Sequence, residues 1–151
     1  MGFLTGKTAI ITGAGRAVLK DGSCGSIGYG IATAYAKEGA NLVITGRNVK
    51  KLEAAKQELE SLYGIKVLTV QADVCAGGNN EATVANVVKQ AVDTFGGIQV
   101  LINNAQASAS GVPLAEHTTE QFDLAIYSGL YAAFYYMKAC YPYLEIGRAH
   151  V

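Results

Sequence analysis

What this sequence has little of narrows it first. It carries no net charge, because 12 basic residues balance 12 acidic ones. That balance removes the electrostatic footprint of a nucleic-acid binder or of a protein held on an anionic membrane. No apolar run reaches the ~18 residues of a spanning helix. The opening MGFLTGK lacks a basic region followed by a long apolar stretch, so it does not read as a secretory signal. Gly6 stands where a myristoylation pattern needs Ser or Thr. Cysteine is sparse, and Cys24, Cys75 and Cys140 are too scattered for a disulfide framework or zinc spacing. They read as buried or incidental thiols of a reducing cytoplasm. The only histidines are His117 and His150, and neither joins a metal-ligand cluster or a Ser–Asp pair. His117 reads as a surface loop residue. Repeats, low-complexity tracts and linkers are absent. A chain of 151 residues, half of them apolar, is then long enough for one domain with a sizeable core.

What is present is an alternation of short apolar runs with helical patterns. Strands are expected at Thr8–Thr12, Asn41–Thr45, Lys66–Val70 and Ile98–Ile102. Helices are expected at Ile27–Glu38, at Val49–Leu62 with Leu52, Ala55, Leu59 and Leu62 on one face, and along a stripe from Val84 to Phe95. Ala76–Asn80 reads as a loop, and Asn103–His117 as a longer one. Thr118 with Gln121 makes a capping box for a fourth helix reaching about Cys140. This rhythm predicts an α/β fold: a Rossmann-type, doubly wound parallel sheet in strand order 3-2-1-4. Its strands are continuous apolar runs, as expected where both faces are covered.

The most informative stretch is Thr8–Ala32. An apolar strand runs into Gly13 and Gly15, and an Ala-rich helix opens at Ser26-Ile27-Gly28. Glycine lets backbone N–H groups approach a phosphate, and a helix N-terminus favours an anion. Placed between a buried strand and an amphipathic helix, the pattern marks a dinucleotide site rather than a plain turn.

Thr12-Gly13-Ala14-Gly15, Ile27-Gly28 and Asn103-Asn104-Ala105 together resemble the short-chain dehydrogenase/reductase family. Ser-Ile-Gly-Tyr-Gly-Ile-Ala is also the wording of related enoyl-thioester reductases, but those lack Asn-Asn-Ala. A closer resemblance runs through Lys37–Val43, Thr45–Asn48, Asn104–Gly111 and Glu120–Leu144 to the bile-acid hydroxysteroid members of the family, with Gln106 in place of the usual glycine as a marker. It implies NADP(H)-linked, reversible oxidation of a steroid C12 hydroxyl by a homo-oligomer. Other secondary alcohols, or nucleotide binding without turnover, are the alternative functions. Two departures stand out in the first loop: an insertion at Ala17–Cys24, and Ser26 where glycine is usual.

The residues after the second strand separate NADP from NAD. An NAD site places a carboxylate there. Here Thr45-Gly46-Arg47-Asn48 offers none before Glu53, and Arg47 suits a 2′-phosphate, with Arg16 placed to assist. A solvated loop charge is the alternative reading of Arg47. By resemblance, Asp73 and Val74 meet the adenine, although Asp73 also suits a turn. Asn104, Ala105 and Gln106 would line the ribose and nicotinamide side, or stabilise the sheet end. The expected cofactor-binding set is therefore Gly13, Gly15, Ser26, Ile27, Gly28, Arg47, Asn48, Asp73, Val74, Asn104, Ala105 and Gln106, with NADP as cofactor.

Catalytic residues are not found. The family uses a Tyr-x-x-x-Lys pair and an upstream serine, and no lysine here follows a tyrosine by four; Lys138 follows Phe134. Gly129 aligns with a family asparagine that holds a water in the proton relay. The family continues for about a hundred residues more, in keeping with usual domain sizes. Residues 1–144 are read as the nucleotide-binding part of one domain. Glu145–Val151 is read as a non-native tail, since its wording matches a sequencing-adaptor reading frame rather than the family. The chain as written is expected to be inactive and prone to self-association.

Overall fold

A computed structural model describes residues 2–75 and 80–144; the expected tail lies outside them. Four parallel strands, β1 (Thr8–Thr12), β2 (Asn41–Gly46), β3 (Val67–Gln71) and β4 (Val100–Ile102), form one sheet in the order β3-β2-β1-β4. The helices are α1 (Ile27–Lys37), α2 (Val49–Tyr63), α3 (Asn80–Phe95), α4 (Thr119–Ala125) and α5 (Ala132–Leu144). The expected strand order is the observed one.

The sheet is apolar on both faces, and its period of two divides the core. Ala9 and Ile11 of β1, with Leu42 and Ile44 of β2, meet Tyr29, Ala32 and Ala36 of α1 and Leu52, Ala55 and Leu59 of α2. Ile10 and Val43 point the other way, onto Val84, Val87, Val88 and Ala91 of α3 and Tyr136 and Cys140 of α5. Each fully buried Ile or Leu contributes roughly 1.5–3 kcal/mol. Two-sided burial is therefore what makes β1 read as an unbroken apolar run.

Boundaries differ where local chemistry intervenes. Leu62 is 63% exposed rather than buried, because the α2 stripe ends at Leu59 and Gly64 closes the helix in the left-handed region at φ 66°. Asn80 is not loop but the first residue of α3. It is buried, and its Nδ2 donates to the carbonyls of Val74 (2.9 Å) and Tyr127 (3.3 Å). β4 begins at Val100 rather than Ile98, after Gln99 N–H donates to the Thr8 carbonyl and its side-chain Oε1 accepts from Thr8 N–H. The Thr118–Gln121 capping box is present, but the helix it opens is interrupted by a π-helical segment at Ile126–Tyr131 before continuing to Leu144.

The Ala17–Cys24 insertion folds as a small hairpin. Val18 bridges Cys24, Leu19 N–H donates to Ser23 O, and Gly22 turns the chain at φ 85°. Cys24 is exposed, Cys75 half-buried and Cys140 buried; all three are free thiols. Among the described residues no helix is long and apolar enough to cross a membrane.

Candidate functional site

The site lies at the carboxyl ends of β1, β2 and β4, where the chain's crossovers change direction and an open α/β sheet leaves a crevice. Thr12, the last residue of β1, organises it. Its buried Oγ1 accepts from the N–H groups of Asn104 (3.0 Å) and Ala105 (2.9 Å). Asn104 returns the tie: its Nδ2 donates to the carbonyls of Thr12 (2.8 Å) and Gly13 (3.3 Å). The segment after β4 is thereby fastened across the end of β1. This is a side-chain-to-backbone stitch between strand ends, made in addition to any ligand role of Asn104.

The glycine loop is held as tightly. Gly13 takes φ 70°, in the left-handed region open to glycine, and its N–H donates to Thr45 O at 2.9 Å. A Cβ on Gly28 would lie 2.2 Å from Gly13 O and 2.5 Å from Asn104 Nδ2. Helix α1 therefore rests its first turn directly on the loop, which leaves the helix N-terminus facing the crevice. Ser26 is the N-cap of α1, its Oγ accepting from Tyr29 N–H at 3.4 Å. A serine at this position trades the family's usual glycine for a capped helix start. Ile27 is 77% exposed at the first helical position.

Two cavities, of about 260 and 220 Å³, share Gly13, Gly46 and Arg47 and so form one crevice. The first is lined by Gly15, Ser26, Asn48 and Lys51, among others. The second runs past Ala72 and Val74 to Asn104, Ala105 and Gln106. A smaller cavity of about 110 Å³ continues beyond Gln106 to Ser128, Gly129 and Tyr136. Most of the sequence-expected residues line this path. Three do not: Ile27, Gly28, which packs against the Gly13 carbonyl, and Asp73, whose Oδ1 accepts from Cys75 N–H at 2.9 Å in a turn.

Three features were not expected. Asn48 caps α2, its Oδ1 accepting from Lys51 N–H at 3.0 Å, and Lys51 lines the first cavity beside Arg47. Arg16 is not a free cation, because it forms an ion pair with Glu58 of α2. Hydrogen bonding to Arg16 holds the Glu58 carboxyl below its ordinary range. Gln106 sits over Gly129 of the π segment, where a Cβ would come within 3.4 Å of its Nε2. A serine or asparagine cap and a lysine one turn into a helix are visible in sequence as types, but their convergence on one cavity is a product of the fold. Burial pushes the Tyr136 hydroxyl up to about 12, with Thr45 acting the other way, and it stays a neutral phenol near neutral pH.

This crevice, at the strand ends of a sheet in the order β3-β2-β1-β4, lies where Rossmann-type folds bind dinucleotides. The chain belongs to the short chain dehydrogenase family, whose model matches residues 7–150. It is 61% identical over 145 residues to a 12alpha-hydroxysteroid dehydrogenase from a Clostridium species, covering 96% of this chain and 53% of that protein. Among solved structures it is similar to L-sorbose reductase from Gluconobacter frateurii complexed with NADPH and L-sorbose. There the TM-score is 0.81 at 30% identity, covering 97% of this chain and 50% of that one. It is also similar to an alcohol dehydrogenase from Thermococcus sibiricus complexed with 5-hydroxy-NADP, at TM-score 0.80 and 29% identity, covering 93% and 54%. The chain spans about half the length of the relatives it matches.

Proposed function

We propose that this chain is the nucleotide-binding part of an NADP(H)-dependent hydroxysteroid dehydrogenase, one that interconverts the C12 hydroxyl and ketone of bile acids. The observation that carries the reading is the crevice itself. Gly13 and Gly28 let backbone and helix N-terminus approach a pyrophosphate, and Arg47 stands at the β2 exit. The carboxylate nearest in sequence after β2, Glu53, accepts a hydrogen bond from Thr69 of β3. Among the described residues no carboxylate lines the first cavity to bind an unphosphorylated ribose. The substrate assignment rests on the 61% identity to the clostridial enzyme.

In this reading Gly13, Gly15, Ser26, Ile27 and Gly28 hold the pyrophosphate, and Arg47 and Asn48 the 2′-phosphate side. Asp73 and Val74 flank the adenine, and Asn104, Ala105 and Gln106 the ribose and nicotinamide. A bound dinucleotide would supply hydride chemistry, and these residues would bind and orient it. A proton acceptor at the substrate oxygen is required as well, and the sequence offers no Tyr-x-x-x-Lys to act as one. The chain as it stands is therefore read as a binder without turnover.

Two measurements test this. Titration calorimetry of the chain should show NADP⁺ bound more tightly than NAD⁺, and Arg47→Asp should weaken NADP⁺ by about 10–100-fold, the loss of one charge-assisted contact. Unchanged NADP⁺ affinity in that variant rejects the cofactor assignment. A version extended to the length of the clostridial relative should oxidise cholate with NADP⁺ while the chain alone does not. An extended enzyme that reduces L-sorbose and ignores cholate rejects the steroid assignment.

A further inference from the structure

The first cavity holds two cations from different elements. Arg47 comes from the β2 exit and Lys51 from the first turn of α2; among the described residues no acidic side chain lines the space with them. Lys51 is fixed at both backbone ends. Its N–H donates to Asn48 Oδ1 at 3.0 Å, and its carbonyl accepts from Arg16 N–H at 2.8 Å. Its Cβ lies 3.1 Å from where a Cβ on Gly15 would sit, so glycine at 15 is what lets the lysine stem lie against the loop. The two acids of α2 nearest the loop are both engaged elsewhere, Glu53 with Thr69 and Glu58 with Arg16. The sequence pointed to Arg16 as the second phosphate ligand, but the ion pair spends that charge on Glu58.

We propose that Lys51 is the second cation of the 2′-phosphate site, acting with Arg47, and that Arg16 serves instead to brace the glycine loop on α2. The inference rests on the NADP(H) reading and adds to it a residue that sets cofactor choice. Arg47 offers a planar fork and Lys51 a mobile point charge, so together they embrace a dianionic phosphate from two sides. The positive end of α2, one turn away, adds to the same field.

The test is the ratio of NADP⁺ to NAD⁺ affinity, measured on the full chain by calorimetry. Lys51→Gln should lower that ratio about tenfold by weakening NADP⁺ alone. Lys51→Arg, which keeps the charge, should retain most of the preference. Lys50→Gln, an equal loss of charge at an exposed position that does not line the cavity, should leave the ratio within about twofold, as befits a solvent-screened charge. Arg16→Gln should weaken both cofactors alike, through the loosened loop, without changing the ratio. If Lys51→Gln keeps the wild-type ratio, or Arg16→Gln is the variant that lowers it, the proposal is wrong while the NADP(H) reading stands. If the unmodified chain shows no preference for NADP⁺, the cofactor reading fails and takes this inference with it.

Discussion

At Gly28 a single missing methyl group sets the geometry of the site. An added Cβ would overlap the Gly13 carbonyl at 2.2 Å, and that carbonyl is backbone already engaged by Asn104. Nothing flexible is available to yield, so α1 would have to lift from the loop. Gly28→Ala is expected to cost about 3 kcal/mol, the upper part of the range for overpacking a close contact. The urea midpoint should fall with little change in m-value, and NADP⁺ affinity should fall with it. A variant with wild-type midpoint would show that helix and loop are not in the contact described. This glycine was legible from the sequence, because glycine lowers helix propensity and is placed in a first turn where backbone must pack closely on the preceding strand and loop. Thr12 and Ser26 were harder. Thr12 looks like any β-branched residue at a strand end, and only the arrival of β4 beside it, some ninety positions later, makes its hydroxyl a hub. Ser26 reads as a departure from glycine, yet in the structure it is an ordinary N-cap.

The same division between local and distant information holds for elements. Strand order, the α2 and α3 stripes and the Thr118 capping box follow from periodicity and short motifs, which are properties of neighbours in sequence. The π segment at Ile126–Tyr131 was not visible in the sequence, where the Thr118 capping box opens what reads as one unbroken helix. Its cause is tertiary. Ser128, 1% exposed, donates to Leu124 O at 2.7 Å and accepts from Ala107 N–H at 2.9 Å, while Asn80 reaches Tyr127 O from α3. The helix opens one turn to serve two partners outside it, and Gly129 leaves room there for Gln106. Ser128→Ala removes the acceptor for a partly buried backbone N–H, a loss of about 1–3 kcal/mol. Amide exchange at Ala107 should accelerate well beyond that in the β1 core. Equal protection in variant and wild type would mean the Ser128 contact does not fasten the loop. The Arg16–Glu58 tie between loop and α2 carries a pH signature of the same kind. Because the folded Glu58 is depressed below its ordinary 4.5, its contribution is present above that value and is lost as pH falls through the lowered one.

For the whole molecule, the decisive feature is the outer face of α4, the π segment and α5. Leu130 (62% exposed), Phe122 (59%), Tyr141 (56%), Met137 (53%) and Phe134 (52%) lie along it, with Tyr127 and Tyr131 stacked at a centroid separation of 5.3 Å. An apolar surface of this extent is more than a solvated monomer usually presents. The formal charge of zero supplies no long-range repulsion to keep two copies apart. The opposite face of α5 is already committed to the core through Tyr136 and Cys140, so the exposed side chains cannot turn inward. A second copy of the chain meeting this face is the expected outcome, and sedimentation velocity should show a weight-average mass that rises with concentration. The double variant Leu130→Glu, Met137→Glu should sediment as a monomer across the same range. Neither side chain belongs to either core cluster, so circular dichroism and the urea midpoint should be close to those of the parent. A parent chain that remains monomeric at millimolar concentration would exclude association through this face.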